Sequence, residues 1–235
     1  MKIGVLTTVD APLLGRQLQD IIDAGQRIEA IIFDSQTVPE RDHKIHEERT
    51  GGHLPSVPLW RFEKHAIPCY FVARHDSSET TDLVQQLGLD VLINGGTPRI
   101  LKGLILNTPR FGVLNCHPGL LPMFRGCTCV EWAIYLDEQI GNTVHRMTEG
   151  IDEGPVLLSE PLTFCKTERY VDVRVKVYAH ASLMMGKALR SLECGEMSEK
   201  DFTPQKEGRY FRVIEADKMQ QVLAKLDAGL YRFQY

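Results

Sequence analysis

Three features of the 235-residue chain predict an α/β fold with an open, mainly parallel sheet flanked by helices. Short apolar runs recur in its first half, stretches with helical spacing of apolar residues alternate with them, and polar turn-forming residues separate the two. The composition, 43% hydrophobic and 25% charged, excludes disorder and collagen-like repeats. At roughly 150 residues per domain the length fits one large domain with at most a small appendage, whose core forms without disulfides.

Ile3–Leu6 is the first apolar run and enters the polar stretch Thr7-Thr8-Val9-Asp10, after which Leu13, Leu14, Leu18, Ile21 and Ile22 recur at helical spacing. The pattern predicts strand, loop, helix. Further strands are predicted over Arg27–Phe33, Ile67–Val72 and Asp90–Asn94, with a helix through Leu83, Val84 and Leu87 before the last. Ligands of such sheets bind beyond the carboxyl ends of the strands. No G-x-G-x-x-G follows the first strand, so a dinucleotide is not implied. Residues 38–56 are a charged excursion holding His43, His46 and His53. Three histidines raise a metal reading, but a solvated loop or short surface helix is favoured and no metal is expected. A helix over Trp60–His65 follows. Glu168–Arg190 alternates like a strand at Val171, Val173, Val175 and Val177, yet its length decides for a helix. The tail carries Arg209-Tyr210-Phe211-Arg212 and then an amphipathic helix through Val222, Leu223 and Leu226.

The net charge is −4, and there is no long run of Lys or Arg. A small-molecule partner is therefore expected, rather than nucleic acid or an anionic membrane. No apolar stretch approaches the roughly 20 residues that span a bilayer, and no signal peptide is read at the start, so a cytoplasmic location is expected. Cys69, Cys116, Cys127, Cys129, Cys165 and Cys194 form no C-x-x-C pair and read as free thiols.

The chemistry concentrates between Gly112 and Gly126. A strand ends in Asn115-Cys116-His117, and alternation puts Asn115 and His117 on one face. Pro118 holds His117 extended, while Pro122 and Gly126 bracket a constrained loop. Thr128 with Glu131 predicts a capping box for a helix through Trp132, Ile134 and Tyr135. Asn142–Met147 predicts another strand, delivering a turn over 148–155 with Asp152 among glycines. Together Asn115, His117 and Asp152 suit attack on a carbonyl or formyl carbon. An amide and an imidazolium stabilise the oxyanion, and a carboxylate orients the imidazole and relays a proton. Each alone also reads as a turn or packing residue. His145 either reaches the same site or packs, with packing preferred.

Asn115-x-His117-Pro118-Gly119-Leu120-Leu121-Pro122, then Arg125-Gly126, then Asp152-x-Gly154-Pro155, resembles the N10-formyltetrahydrofolate formyltransferase family. The resemblance implies a Rossmann-like formyltransferase fold with a short C-terminal extension: a catalytic domain over 1–195 and an extension over 196–235 packed on it. It also implies N10-formyltetrahydrofolate as co-substrate, no metal, and catalytic roles for Asn115, His117 and Asp152. Arg99, Ile100 and Leu101 match the segment lining the folate pocket, core packing being the competing reading for Ile100 and Leu101. Thr148, Glu149, Gly150 and Ile151 match the loop that binds the pterin. Thr8, Asp10, Trp60, Pro118 and Gly119 are expected at the acceptor.

Two departures matter. Gly119 stands where many members have Ser, and Thr7–Asp10 stands where the glycinamide ribonucleotide enzymes carry a phosphate cradle. The missing cradle disfavours purine synthesis, and the length leaves no room for the C-terminal barrel of the tRNA enzyme. The expected acceptor is thus a nucleotide-linked amino sugar, best a dTDP-linked 4-amino-4,6-dideoxy sugar, with no nucleic acid and no membrane as partner and a homodimer left open. Glycinamide ribonucleotide transfer and formyltetrahydrofolate hydrolysis are the alternatives, a folate-binding protein without turnover the least favoured. Trp60, Tyr210, Phe211, Arg209 and Arg212 have the chemistry to stack on a base and pair with a diphosphate, or else pack at the surface.

Overall fold

The computed structural model describes residues 1–54 and 57–235. Ile3–Thr7 (β1), Leu14–Asp23 (α1), Ile28–Asp34 (β2), Glu40–Thr50 (α2), Cys69–Val72 (β3), Ser78–Leu87 (α3) and Val91–Asn94 (β4) make up the first half. Val113–His117 (β5), Arg125–Gly126 (β6), Cys129–Tyr135 (α4), Gly141–Arg146 (β7), Val156–Pro161 (β8), Tyr170–Glu193 (α5), Tyr210–Phe211 (β9) and Ala216–Asp227 (α6) follow. One sheet runs in the order β3-β2-β1-β4-β5-β7-β8. β1 to β5 are mutually parallel, and β7 and β8 are antiparallel additions. The near-continuous apolar sequences of β1 and β2 follow from this placement, since parallel strands are covered on both faces.

Helices close the two faces. Leu14, Leu18 and Ile21 of α1 form one buried stripe against Met184, Met185 and Ala188 of α5. Gly186 lets the two helices approach, because a Cβ there would lie 3.0 Å from the Asp20 carbonyl. The Ser77 hydroxyl caps α3 by accepting from the Thr80 amide, and Gly88 ends the helix at φ 62°. α5 is the helix expected from length, burying Val173, Val177, Ala188 and Leu192. Residues 38–54 of the charged excursion contain α2, the short-helix alternative; Pro55 and Ser56 lie outside the described residues. Leu59–His65 is a 3-10 helix. At the C-terminal end α6 packs on α4, with Val222, Leu226 and Tyr231 joining Val130 and Ile134, and β9 pairs with β6. Among the described residues no helix is long and apolar enough to cross a membrane, and the six cysteines are unpaired.

The expected capping box at Thr128 does not form. Thr128 sits at φ 49°, and its hydroxyl accepts from the Ile214 amide instead. Glu131 is buried and accepts a hydrogen bond from the Tyr170 hydroxyl, so a tertiary charge site takes the side chain that the local pattern assigned to a cap.

The strand order reverses between β1 and β4, whose chains leave toward opposite edges of the sheet. A crevice beyond the carboxyl ends of the strands is the consequence. It is filled here by a cavity of about 510 Å³ bordered by Ala11 and Leu13 after β1, Gly95–Ile100 after β4, and Asn115 and Pro118 from β5.

Candidate active site

Antiparallel pairing of β5 with β7 sets Asn115 opposite His145 and His117 opposite Thr143. Paired residues and residues two apart share a face, so both imidazoles and the amide gather on one side. Asn94 at the end of β4 orients the amide. Its Oδ1 accepts from the Gly96 and Thr97 amides at 3.1 and 2.9 Å, which makes its Nδ2 the donor to Asn115 Oδ1 at 3.0 Å. Asn115 Nδ2 then donates toward His145 Nε2 at 3.3 Å, while His145 Nδ1 lies 3.2 Å from the Arg146 carbonyl.

Asp152 lies between the two imidazoles. Its Oδ2 is 3.3 Å from His117 Nδ1 and accepts the Gly126 amide at 2.9 Å; its Oδ1 is 3.6 Å from His145 Nε2. His117 donates from Nε2 to the Phe124 carbonyl at 2.8 Å and is only 3% exposed. Burial holds His117 below the usual imidazole range, against the pull of Asp152. Asp152 is held below the usual carboxylate range: burial acts to raise it, but His145, His117 and the Gly126 amide outweigh that. Asp152 is thus held as a carboxylate, with His117 Nδ1 facing its Oδ2.

The turn bearing Asp152 is gripped from two sides. Asp152 adopts φ 55°, and Gly154 runs so close to β7 that a Cβ would fall 1.7 Å from the Arg146 carbonyl. Gln205 donates from Nε2 to the carbonyls of Asp152 and Gly154 at 2.8 and 2.6 Å, and Arg125 donates to Gln205 Oε1. A residue of the C-terminal segment thus holds the Asp152 backbone.

The remaining expected site residues are dispersed. Arg99 borders the crevice, but its guanidinium donates to both oxygens of Asp34 at 2.9 and 3.0 Å. Ile100 is 59% exposed at the mouth, whereas Leu101 is 1% exposed in the core with Leu6, Ile105 and Val113, where the packing reading applies. The 148–151 turn is tied to the 100–104 loop by Gly103, whose amide donates to Glu149 at 3.3 Å, and Ile151 is exposed beside it. The Thr148 hydroxyl donates to the Gly150 carbonyl within that turn. Thr8 is fully buried; Asp10 accepts from the Val38 amide and lies 3.1 Å from His43 Nε2. Trp60 is 66% exposed and borders neither the crevice nor Asp152. Pro118 lines the crevice, and Gly119 leaves no room for a side chain, its Cβ position being 2.7 Å from His117 Nε2. Phe211 stacks on Phe124 and Trp132, so it packs. Two residues that join this polar chain lie outside the expected catalytic set: His145, for which the sequence favours packing over reaching the site, and Asn94. The signal for both is strand register, which brings them to Asn115 across the sheet. Among the described residues no group of three or more His, Cys, Asp or Glu is placed to hold a metal ion.

The formyl transferase family model matches residues 1–189. The methionyl-tRNA formyltransferase of Deinococcus radiodurans is 36% identical over 123 residues, 51% of this chain and 39% of that protein. That of Parvibaculum lavamentivorans is 30% identical over 97% of this chain and 68% of its own length. The chain spans 39% to 69% of the length of such relatives. Among solved structures, glycinamide ribonucleotide transformylase 1 of Symbiobacterium toebii superimposes with TM-score 0.63 at 23% identity, covering 92% of this chain and 94% of that one. A 4-N formyltransferase from Francisella tularensis does so with TM-score 0.61 at 18% identity, covering 99% and 86%. At these identities the structures speak to fold, which is the expected Rossmann-like one. The expected nucleotide-linked amino-sugar acceptor and the exclusion of nucleic acid as partner are overturned, because the relatives matched in sequence are methionyl-tRNA formyltransferases. Chain length and net charge describe the whole molecule and do not resolve which amine a shared catalytic core receives. With four fifths of its length matched by one family model, and Asn115, His117 and Asp152 converging at the sheet edge, the chain belongs to the formyl transferase family.

Proposed function

We propose that the chain transfers the formyl group of N10-formyltetrahydrofolate to a primary amine, with Asn115, His117 and Asp152 as the reacting-site residues. The observation that carries this reading is the continuous polar chain Asn94–Asn115–His145–Asp152–His117 at the edge of the switch-point crevice. The amine enters through that crevice. The formyl donor lies against the 100–104 loop and the 148–151 turn, which Gly103 and Glu149 tie together and whose exposed Ile100, Leu104 and Ile151 offer apolar surface to a flat ring.

The neutral amine attacks the formyl carbon, a C–N bond forms, and negative charge develops on the formyl oxygen. Asn115 Nδ2, already aimed by Asn94, donates to that oxygen. Asp152, directly or through water, accepts the proton the amine sheds. His117 has an oxygen facing each ring nitrogen, so its imidazolium is stabilised once that proton arrives. The proton then goes to N10 as the C–N10 bond breaks, and tetrahydrofolate leaves. Holding both reactants at the carboxyl ends of the strands lowers the barrier further, since orienting a reacting pair can be worth up to about 7–11 kcal/mol. Residues 1–195 form the catalytic domain in this reading, and the 196–235 extension supports it through Gln205.

The relatives' names support methionyl-tRNA as the first acceptor to offer. Incubating the chain with N10-formyltetrahydrofolate and methionyl-tRNA should release tetrahydrofolate in step with formylated amine. Equal release without any amine, or none with any amine, overturns the reading.

A further inference from the structure

A second cavity of about 460 Å³ lies between α2, the turn into α4, and α5. Pro118 and Tyr178 border both this cavity and the crevice, so the two are neighbours across one wall. The charges inside it do not balance. Arg174 is 2% exposed and Arg49 reaches in from α2, and both guanidiniums face the same oxygen, Glu131 Oε1, at 3.7 and 3.9 Å. That oxygen already accepts the Tyr170 hydroxyl at 2.5 Å. Arg174 donates from Nη2 to the Tyr178 hydroxyl, but its Nε has no partner among the described residues.

Neighbouring groups do not restore neutrality. Burial, with Arg174, His43 and Arg49 nearby, holds His46 below the usual imidazole range and so uncharged at pH 7. Arg41 and Asp42 at the rim are exposed and opposite in sign. Arg174 and the partly exposed Arg49 face one carboxylate, whose Oε2 is itself without a partner among the described residues; a positive excess remains at the cavity wall, and the unpartnered Arg174 Nε is costly unless a ligand brings an acceptor. The planar fork of arginine matches phosphate oxygens.

We propose that this cavity binds a phosphate group carried by the acceptor, held by Arg174 and Arg49, with the acceptor's amine reaching past Pro118 into the crevice. The assignment rests on the reading that the chain formylates an amine there. Calorimetric titration of the full chain with pyrophosphate should show saturable binding. Arg49→Gln and Arg174→Met should each weaken it by about tenfold or more, the scale of a charge-assisted contact. Arg110→Gln, at the amino end of the strands, should leave it unchanged. In transfer assays with methionyl-tRNA, Arg49→Gln should raise the acceptor KM with little change in kcat, and pyrophosphate should compete with the acceptor. Arg174→Met removes a partner of buried Glu131 and endangers folding; Arg49 is 27% exposed, and its variant carries the test alone. A featureless titration, or an Arg49→Gln variant that binds like the parent, overturns the site. Binding that never competes with the acceptor makes it a free-phosphate site and overturns the acceptor assignment. Arg49-dependent binding in a chain that transfers no formyl group overturns the transfer reading and leaves the anion site standing.

Discussion

Asp34 with His75 and Asp152 with His117 are carboxylate–histidine pairs beyond the strand ends, and they are built differently. At the β2 end, Asp34 accepts both arms of Arg99 and the amides of Gln36 and His75, while His75 reaches the Ile32 carbonyl from Nε2 and lies 2.8 Å from the Thr97 hydroxyl. Both oxygens of Asp34 and both ring nitrogens of His75 are engaged, and the result is a latch on the loop after β4. At the β5 end, Asp152 has one backbone amide and two imidazoles, and no arginine or lysine pairs with it among the described residues. A carboxylate compensated by a full cation cannot take a proton at neutral pH. One compensated by imidazoles can exchange it. In the proposed reaction the same residue pair is thus a clamp in one place and a proton device in the other, and what decides is whether an arginine completes it.

Exchanging the acid for an amide at each pair should separate the two roles. Asp152→Asn is expected to lower transfer by about 10²–10⁴-fold, the range for a positioned acid or base, with the melting temperature little changed. Asp34→Asn should do the reverse. It strips the partner from Arg99 and should lower the melting temperature by several degrees, with transfer per folded molecule reduced far less. If Asp34→Asn silenced transfer as thoroughly as Asp152→Asn in a chain that melts normally, the contrast would collapse.

A smaller effect is expected from moving the proton device without altering its groups. A Cβ at Gly154 meets the Arg146 carbonyl at 1.7 Å, so Gly154→Ala must shift the turn that presents Asp152. Misplacement by about 1 Å costs on the order of 10²-fold. The loss should appear in kcat, and a variant with unchanged kcat would show that Asp152 needs no such precision.

Acid should test both pairs together. His75 and His117 are held below the usual imidazole range mainly by burial, so their folded forms bind protons less readily than the unfolded chain. Their contribution to stability is complete above about pH 6.5 and is lost as pH falls toward the folded values. Asp34 and Asp152 are lowered too, but their contribution persists until pH drops below about 4. Melting temperature should therefore decline between pH 7.5 and 5, before any carboxylate titrates, and His75→Gln should flatten part of that slope. A melting temperature constant over this interval would contradict the burial argument.

How much of this was legible in sequence depended on range. β1, β2 and the starts of β4 and β5 are readable because strands covered on both faces must be apolar there. Asn115, His117 and Asp152 were readable because the segment around them resembles a known pattern. Arg99 and Asp34 are far apart in the chain, so nothing local to Arg99 shows that its guanidinium is taken. Thr128 and Glu131 matched a capping pattern, but Glu131 is claimed by Tyr170 and Arg174 of α5, again a tertiary partner. The acceptor was misread for a related reason. Net charge and length are sums over the chain, whereas selection of an amine is made by the few groups lining one crevice.

His145 is the sharpest case, because register places it opposite Asn115 and the turn after β7 brings Asp152 to 3.6 Å from its Nε2. As a group that orients others, it should matter less than Asp152. In His145→Gln the side chain can still accept from Asn115, but it lacks the ring that faces Asp152. A roughly tenfold fall in kcat with an unchanged donor KM is expected, the low end of what a positioning hydrogen bond contributes. The acid limb of the pH–rate profile should also move, since His145 is among the groups that hold Asp152 low. A merely packed histidine would leave that limb in place whatever it did to kcat.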